Sequence, residues 1–163
     1  MKEYHETYPD GTVRARWSAR ICPRGRYLLD GLETTYYPNG KKEHEATYVS
    51  GRKKGQETFW APDGTKLWSW KHEPEHNNSV WVHYWHDGGK RIESRWLTET
   101  RARDLDRKFT GLVADGPAFH WNPEGKLVHA YSFTNGGFAG PLPLETQSAS
   151  VKVAGKERGD GER

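Results

Sequence analysis

The sequence has 163 residues, enough for one domain, and combines 29% charged residues with a mean hydropathy of −1.03. Its aromatic residues, 8 Trp, 8 Tyr and 5 Phe, outnumber its 20 Leu, Ile and Val residues. Disordered chains lack such aromatic content, and so few aliphatic residues cannot form a thick core. The net charge of only +3, with acids interleaved among bases, argues against nucleic-acid binding, and the single cysteine excludes an internal disulfide and a cysteine-based zinc site.

The first residues after Met1 contain no apolar segment of the kind found in secretion signals. No stretch of the chain is long and apolar enough to be a transmembrane segment. We therefore expect a cytoplasmic protein, or an extracytoplasmic one if the chain is cut from a longer precursor.

Five similar turn signals recur along the chain, each with glycine at its fourth position and all but one with proline at its second. They occupy residues 8–11, 37–40, 61–64, 85–88 and 122–125. Proline presets φ at the second position, and Asp-Gly or Asn-Gly supplies the positive φ that closes a hairpin. The turn glycines are 29, 24, 24 and 37 residues apart, which indicates a 24-residue repeat with two insertions. We predict about five tandem β-hairpins.

The residues around the turns repeat as well. Residues 31–42 align without gaps on residues 55–66, and residues 79–90 and 116–125 follow the same frame. A ring precedes four of the five turns. Those rings are Tyr36, Trp60, Tyr84 and Trp121.

The strand after each turn alternates between two kinds of side chain, as expected for period-two β-structure. One side carries mostly rings and small apolar groups: Ala15, Trp17, Ala19, His44, Ala46, Tyr48, Trp68, Trp70, His72, Ile92, Trp96, His129, Tyr131 and Phe133. The other side carries mostly charges: Arg14, Arg16, Arg20, Glu43, Glu45, Ser69, Lys71, Arg91, Glu93 and Arg95. We therefore predict an all-β fold, an elongated, twisted antiparallel sheet of consecutive hairpins with one aromatic face.

Two insertions and the C-terminus depart from the repeat. We expect a loop at residues 21–26, and a solvated loop, a short surface helix or a partner-contacting arm at the charged residues 98–108. In residues 73–84 the usual glycine signal is replaced, so the hairpin connection there is expected to be remodelled. Composition predicts a repeat domain over residues 1–144 and a disordered polar tail over residues 145–163.

Residues 48–66 carry a tyrosine, two glycines four residues apart, a ring and a Pro-Asp-Gly turn in fixed order. This pattern resembles the MORN repeat, in the variant form common in bacterial proteins. The resemblance covers roughly residues 4–140 and is best at 31–72 and 116–140. It implies a hairpin scaffold for protein contacts. Some eukaryotic members are linked to membrane phospholipids, and several bacterial ones are labelled antitoxins or immunity partners of secreted toxins.

The sequence offers little for metal or covalent chemistry. The densest histidine group lies within residues 72–86, but strand alternation sends His83 and His86 to opposite faces, so convergent ligation is not expected. Cys22, beside Pro23, has no recurring His or Asp partner and is expected to be an inert thiol. No catalytic residue travels with the resembled motif. We predict no enzymatic activity, no metal and no cofactor.

Partner binding is the function class that remains. In a sheet one layer thick, part of the ring stripe faces solvent or a partner, and exposed Trp and Arg are preferred anchors. Trp81, His83 and Trp85 are predicted to share one face. The predicted binding residues are Trp68, Trp70, Trp81, His83, Trp85, Trp96, Arg101 and Arg103. We expect a dedicated site where the repeat breaks, around residues 73–86 and 98–108.

A protein partner, of the antitoxin or immunity type in one version, is the first hypothesis. Carbohydrate binding on flat tryptophan platforms is the second. The third is contact with acidic phospholipid through a cluster of basic residues. That cluster is Lys41, Lys42, Arg52, Lys53 and Lys54.

Overall fold

The computed structural model describes residues 1–97 and 112–144, which form eleven strands and one short 3-10 turn, Pro74–His76. The strands are β1 (Lys2–Thr7), β2 (Val13–Ile21), β3 (Tyr27–Tyr36), β4 (Lys42–Val49), β5 (Arg52–Trp60), β6 (Lys66–Glu73), β7 (Asn78–Tyr84), β8 (Lys90–Leu97), β9 (Val113–Trp121), β10 (Leu127–Thr134) and β11 (Gly137–Pro141). All belong to one sheet whose strand order follows the sequence, and each strand is antiparallel to its neighbours. This open, twisted sheet of successive hairpins confirms the predicted fold.

The predicted charged arm at residues 98–108 and the predicted tail at residues 145–163 lie outside the described residues. Strands β8 and β9, on either side of the first of these segments, pair directly with each other. The hairpin ladder therefore continues across the insertion.

One turn geometry closes every second connection. The N–H of the first turn residue donates to the carbonyl four residues on, and the turn glycine N–H donates back to the first residue's carbonyl, at 2.7–2.9 Å. The first residues are Tyr8, Tyr37, Ala61, Trp85 and Asn122. The fourth position requires glycine because φ is positive there, 79° at Gly40. Cys22 and Gly25 make the same two bonds, so the segment predicted as a loop is this turn at the opposite edge.

The other connections described at that opposite edge are of two kinds. Ser50 and Asn135 each precede a glycine and share its positive φ, which gives the two-residue hairpin turn favoured by strand twist. The N–H of Ser50 donates to the Asp30 carboxylate at 3.2 Å, and Asn135 repeats this bond to Asp115 at 3.0 Å. Between β6 and β7 the 3-10 turn ends at Asn77, with φ of 48°. The predicted remodelling of this connection is confirmed.

The sheet has no thick core. Among the described residues the buried apolar side chains are Ala15, Ala19, Ala46, Val82 and Ala130. All eight tryptophans lie in the described ranges, and each is half-buried. Because no pair of layers encloses the rings, strand pairing and lateral ring contacts hold the sheet together.

Candidate functional site

The aromatic face is the side of the sheet that carries the predicted ring stripe on strands β4 to β8. It comprises His44, Phe59, Trp68, Trp70, His72, Trp81, His83 and Trp96. Strand pairing sets Trp68 opposite His83 and Trp70 opposite Trp81. Since paired residues of antiparallel strands project to the same side, the register brings these rings together.

Trp70 is the centre of this face. Its ring centroid lies 5.8 Å from that of His72, 6.3 Å from that of Trp81 and 6.2 Å from that of Trp96. The contact with Trp96 is edge-to-face and that with His72 is stacked, both preferred geometries for ring pairs. The four rings support one another across three strands.

Three further contacts extend the series to both sides. Phe59 stacks on Trp68 with centroids 5.2 Å apart and an interplanar angle of 4°, and His44 adjoins Trp68 at 6.1 Å. Trp81 stacks on His83 at 5.7 Å. Each of these side chains is half-buried, so the face is well packed laterally and still accessible from one side.

A buried carboxylate anchors the aromatic face. The side chain of Glu57 is 5% exposed, and its two oxygens accept hydrogen bonds from Nε2 of His44 at 2.7 Å and Nε2 of His72 at 2.6 Å. The Lys53 ammonium also pairs with it. Burial raises the pKa of the Glu57 carboxyl, but the hydrogen bonds from His44, His72 and Lys53 outweigh this and hold the pKa well below its usual range. Glu57 is therefore ionised at neutral pH, and its hydrogen bonds link β4, β5 and β6.

Glu57 and His72 continue into a chain that has the composition of a hydrolase triad. Nδ1 of His72 lies 3.1 Å from Oγ of Ser79, so the serine hydroxyl can donate to the neutral ring. Ser79 is 1% exposed, however, and sits inside strand β7. A nucleophile must reach a substrate carbonyl, and a hydroxyl enclosed in this way cannot. This series of hydrogen bonds instead orients His72 and positions the rings of the aromatic face.

Beyond β7, the turn residue Trp85 crosses the start of β8. Its ring lies 4.5 Å from the Arg91 guanidinium, and its Nε1 donates to the carbonyl of Trp121 at 3.2 Å. Burial, together with the Arg91 charge, lowers the pKa of His83, and burial with the His129 and Arg91 charges lowers that of His120. Arg91, expected on the charged side, thus lies close to the aromatic face.

The opposite face carries a second periodic series, of lysines over rings. Each lysine stands five residues after the first residue of its turn and covers the ring that precedes the next turn. The pairs are Lys42 over Trp60 at 5.9 Å, Lys66 over Tyr84 at 5.0 Å and Lys90 over Trp121 at 5.7 Å. This series stabilises the sheet through cation–π contacts and shows that the two faces differ in chemistry.

Comparison with known families identifies the repeat itself. The sequence model of the MORN repeat variant matches residues 29–50, which span β3, the turn at residues 37–40 and β4. Residues 29–50 of this chain are a MORN repeat of the variant form. The other described hairpins share the turn hydrogen bonds of the matched unit, so the same hairpin architecture continues along the sheet. No curated protein matches the chain. Among the described residues, no helix is long and apolar enough to span a bilayer.

The MORN sheet brings together five of the eight predicted binding residues. Trp68, Trp70, Trp81, His83 and Trp96 all lie on the aromatic face. Trp85 instead lies in the turn that follows β7, at the edge of the sheet. The remaining two, Arg101 and Arg103, lie outside the described residues.

Some histidines of the hairpins contact other side chains of this protein, as His44 and His72 contact Glu57. Within residues 1–97 and 112–144, no three His, Cys, Asp or Glu side chains are arranged to hold an ion. His86 is 84% exposed and lies 4.0 Å from Asp63 in the neighbouring turn, away from His72. The Cys22 thiol has its pKa lowered by backbone hydrogen bonds from Arg24 and Arg26, and the described residues contain no imidazole positioned to activate it.

Glu57 is the residue that sequence reasoning missed. The alternation was assigned on the strands that follow the turns, whereas Glu57 stands on β5, a strand that precedes a turn. The sequence did contain a signal for Glu57. Glu33 and Glu57 occupy the same position of the repeat, two residues after a glycine. Both lie on the side that alternation assigns to the rings. Tyr48 donates to Glu33 as His72 donates to Glu57, and burial and the Glu33 charge raise the pKa of the Tyr48 hydroxyl. A carboxylate repeated on an apolar side indicates a buried, paired anion.

Proposed function

We propose that this MORN-repeat scaffold is non-catalytic and binds a protein partner through the aromatic face. The observation that carries the proposal is the continuous series of half-buried rings on one side of a single sheet. Contiguous accessible rings are a common mark of interaction surfaces, and tryptophan is the residue most enriched among binding anchors.

The way the rings are held also favours a protein partner. Glu57 and the hydrogen bonds from His44 and His72 fix the strands beneath the rings, so little side-chain freedom is lost on binding. Mixed rings, imidazoles and a few polar groups suit the irregular surface of a protein. Neutralisation of a toxin is a narrower form of this proposal, and it rests on the resemblance alone.

The two alternative ligands fit less well. Carbohydrate recognition uses tryptophan faces as open platforms, but the rings here are half-buried against one another. The lysines considered for acidic phospholipid are already engaged: Lys42 pairs with Glu45, Lys53 with Glu57 and Lys54 with Glu75, while Nζ of Lys41 donates to the Asp63 carbonyl at 2.6 Å. Local pairing weakens the attraction of such charges for an anionic surface.

The test compares matched tryptophan variants on the two faces. Peptides selected against the folded chain from a displayed random library would be measured for binding to W96A and W60A. We expect binding to weaken about tenfold or more in W96A, because a central anchor is lost, and to stay within about twofold in W60A. Equal losses in both variants, or binding only to oligosaccharides or anionic vesicles, would contradict the proposal.

A further inference from the structure

The turns of neighbouring repeats are tied by a ring at the first turn position. Tyr8 donates its hydroxyl to the carbonyl of Tyr36 at 2.7 Å, and Tyr37 donates to that of Trp60 at 2.7 Å. Trp85 does the same through Nε1, to Trp121 at 3.2 Å. In each case an aromatic donor crosses the start of the intervening strand and reaches the residue that precedes the next turn.

At the third turn this ring is absent, because the position is Ala61. The backbone is unchanged: the Ala61 N–H donates to the Thr65 carbonyl at 2.8 Å, and the Gly64 N–H donates back to Ala61 at 2.8 Å. Since the turn is the same, a ring on residue 61 would lie where Tyr37 and Trp85 place theirs, across the start of β6 and toward the Tyr84 carbonyl. The methyl group of alanine is too short to follow that path.

The surface along this path is apolar, as at Val128 in the fifth repeat, whereas the equivalent surfaces of the first, second and fourth repeats are charged. Six residues after the first turn residue, the first, second and fourth repeats carry Arg14, Glu43 and Arg91, and the third repeat carries Leu67. Arg91 contacts the Trp85 ring at 4.5 Å, which shows that this position lies under the crossing ring. Leu67, half-buried at the equivalent place, offers an apolar floor for a ring that this chain does not supply.

Other turn-to-turn ties are also sparse at this junction. Between the second and third turns, Asn39 donates to the Pro62 carbonyl at 2.8 Å and Lys41 donates to the Asp63 carbonyl at 2.6 Å. Between the third and fourth turns, the described residues show a contact of His86 with Asp63 at 4.0 Å, with both side chains more than half exposed. Fewer side-chain contacts between turns are thus seen here than at the preceding junction.

We propose that the position beside Ala61 receives a tyrosine or tryptophan side chain of a protein partner. Its ring would cover Leu67, and its O–H or N–H would donate to the Tyr84 carbonyl, as Tyr37 and Trp85 do at the neighbouring junctions. The occupant is defined by what the chain itself places at the equivalent positions, a ring with a polar donor. This inference rests on the proposed protein-binding function and locates one anchor of that interface at the junction of the third and fourth repeats.

The experiment uses N-acetyl-tyrosinamide as the probe and nuclear magnetic resonance titration as the measurement. We expect saturable shifts at residues 61–67 and 84–86, and at least tenfold weaker binding of N-acetyl-phenylalaninamide, which lacks the donor. In A61Y the chain supplies its own ring, so probe binding should fall at least tenfold. The control A61S should bind as the parent does. The A61Y substitution should also raise Tm by roughly 2–5 °C, because it completes the repeat.

Shifts that persist in A61Y, shifts confined to other regions, or no saturable binding would each overturn the inference. A lower Tm for A61Y would overturn it too, since a tyrosine would then not fit the path. The outcome is separable from that of the proposed function. Peptides that lose affinity with W96A but not with A61Y would leave the aromatic face as the interface and remove the Ala61 site from it.

Discussion

Two junctions between neighbouring repeats follow the same hairpin pattern but are stabilised by different contacts. The first joins the second and third repeats, and the second joins the third and fourth. At the first, the Tyr37 ring, Asn39 and Lys41 all bond to the backbone of the next turn. At the second, alanine replaces the ring, and the turns meet through an exposed contact of His86 with Asp63. The strand ladder is continuous through both. Strand pairing thus tolerates different side-chain contacts between the turns of neighbouring repeats.

The two junctions also differ on the aromatic face. The region of β4 to β6 is fastened by Glu57, which binds side chains from three strands. From β6 to β8, the strands are linked instead by contacts among the rings of Trp70, Trp81 and Trp96. A charged hydrogen bond depends on pH through the ionisation of its groups, whereas packing between tryptophan rings does not, so the two regions should respond differently to acid.

The largest expected effect follows removal of the buried anion. E57A should lower the free energy of unfolding by about 3 kcal/mol, because His44, His72 and Lys53 lose the carboxylate that they surround. Urea unfolding measures the loss, and hydrogen exchange should show it concentrated in β4 to β6. The matched control is E33A, at the same repeat position with only the Tyr48 bond evident, where the loss should be clearly smaller. Equal losses of unfolding free energy in E57A and E33A would contradict the larger stabilising role of Glu57.

Acid should weaken the region around Glu57 in a defined pH window. The folded pKa of Glu57 lies below that of an unfolded glutamate, about 4.3, so the unfolded chain binds more protons between the two values. The stabilisation is fully present above about pH 5 and is lost as pH falls through the folded pKa. Unfolding free energies measured from pH 7 to pH 2 should fall less steeply in E57Q than in the parent. Identical slopes would contradict the ionised, buried state of Glu57.

The smallest effect concerns the turn ties. Y37F keeps the ring but removes the hydroxyl bond to the Trp60 carbonyl, and should cost about 1 kcal/mol of unfolding free energy. H86A should change stability by no measurable amount, because His86 and Asp63 are 84% and 54% exposed. Chemical denaturation of the two variants side by side measures the contrast between the junctions. A larger loss of unfolding free energy in H86A than in Y37F would contradict the expected difference between the two junctions.

Much of the fold follows from local patterns in the sequence. The Pro-Asp-Gly turns and the alternation after them predict the hairpins and the ring side correctly, since turn chemistry and period-two alternation act within a few residues. Alternation extended past Tyr84, where β7 ends, assigns Trp85 to the face of Trp81 and His83. The residue lies in the turn, and its ring contacts Arg91 close to that face. The turn at Cys22 carried a readable Pro-x-Gly signal and differs from the others only in its edge of the sheet.

The sequence by itself determined the repeat, its turns and the division into two faces, because these depend on residues close together in the chain. Only the tertiary structure decided that Glu57 is buried between His44 and His72, 13 and 15 residues away, and that a turn ring reaches the carbonyl of the next repeat. Those contacts depend on the register between strands and on which side chain the neighbouring hairpin presents. Register is a property of the assembled sheet, so it could not be obtained from any single repeat.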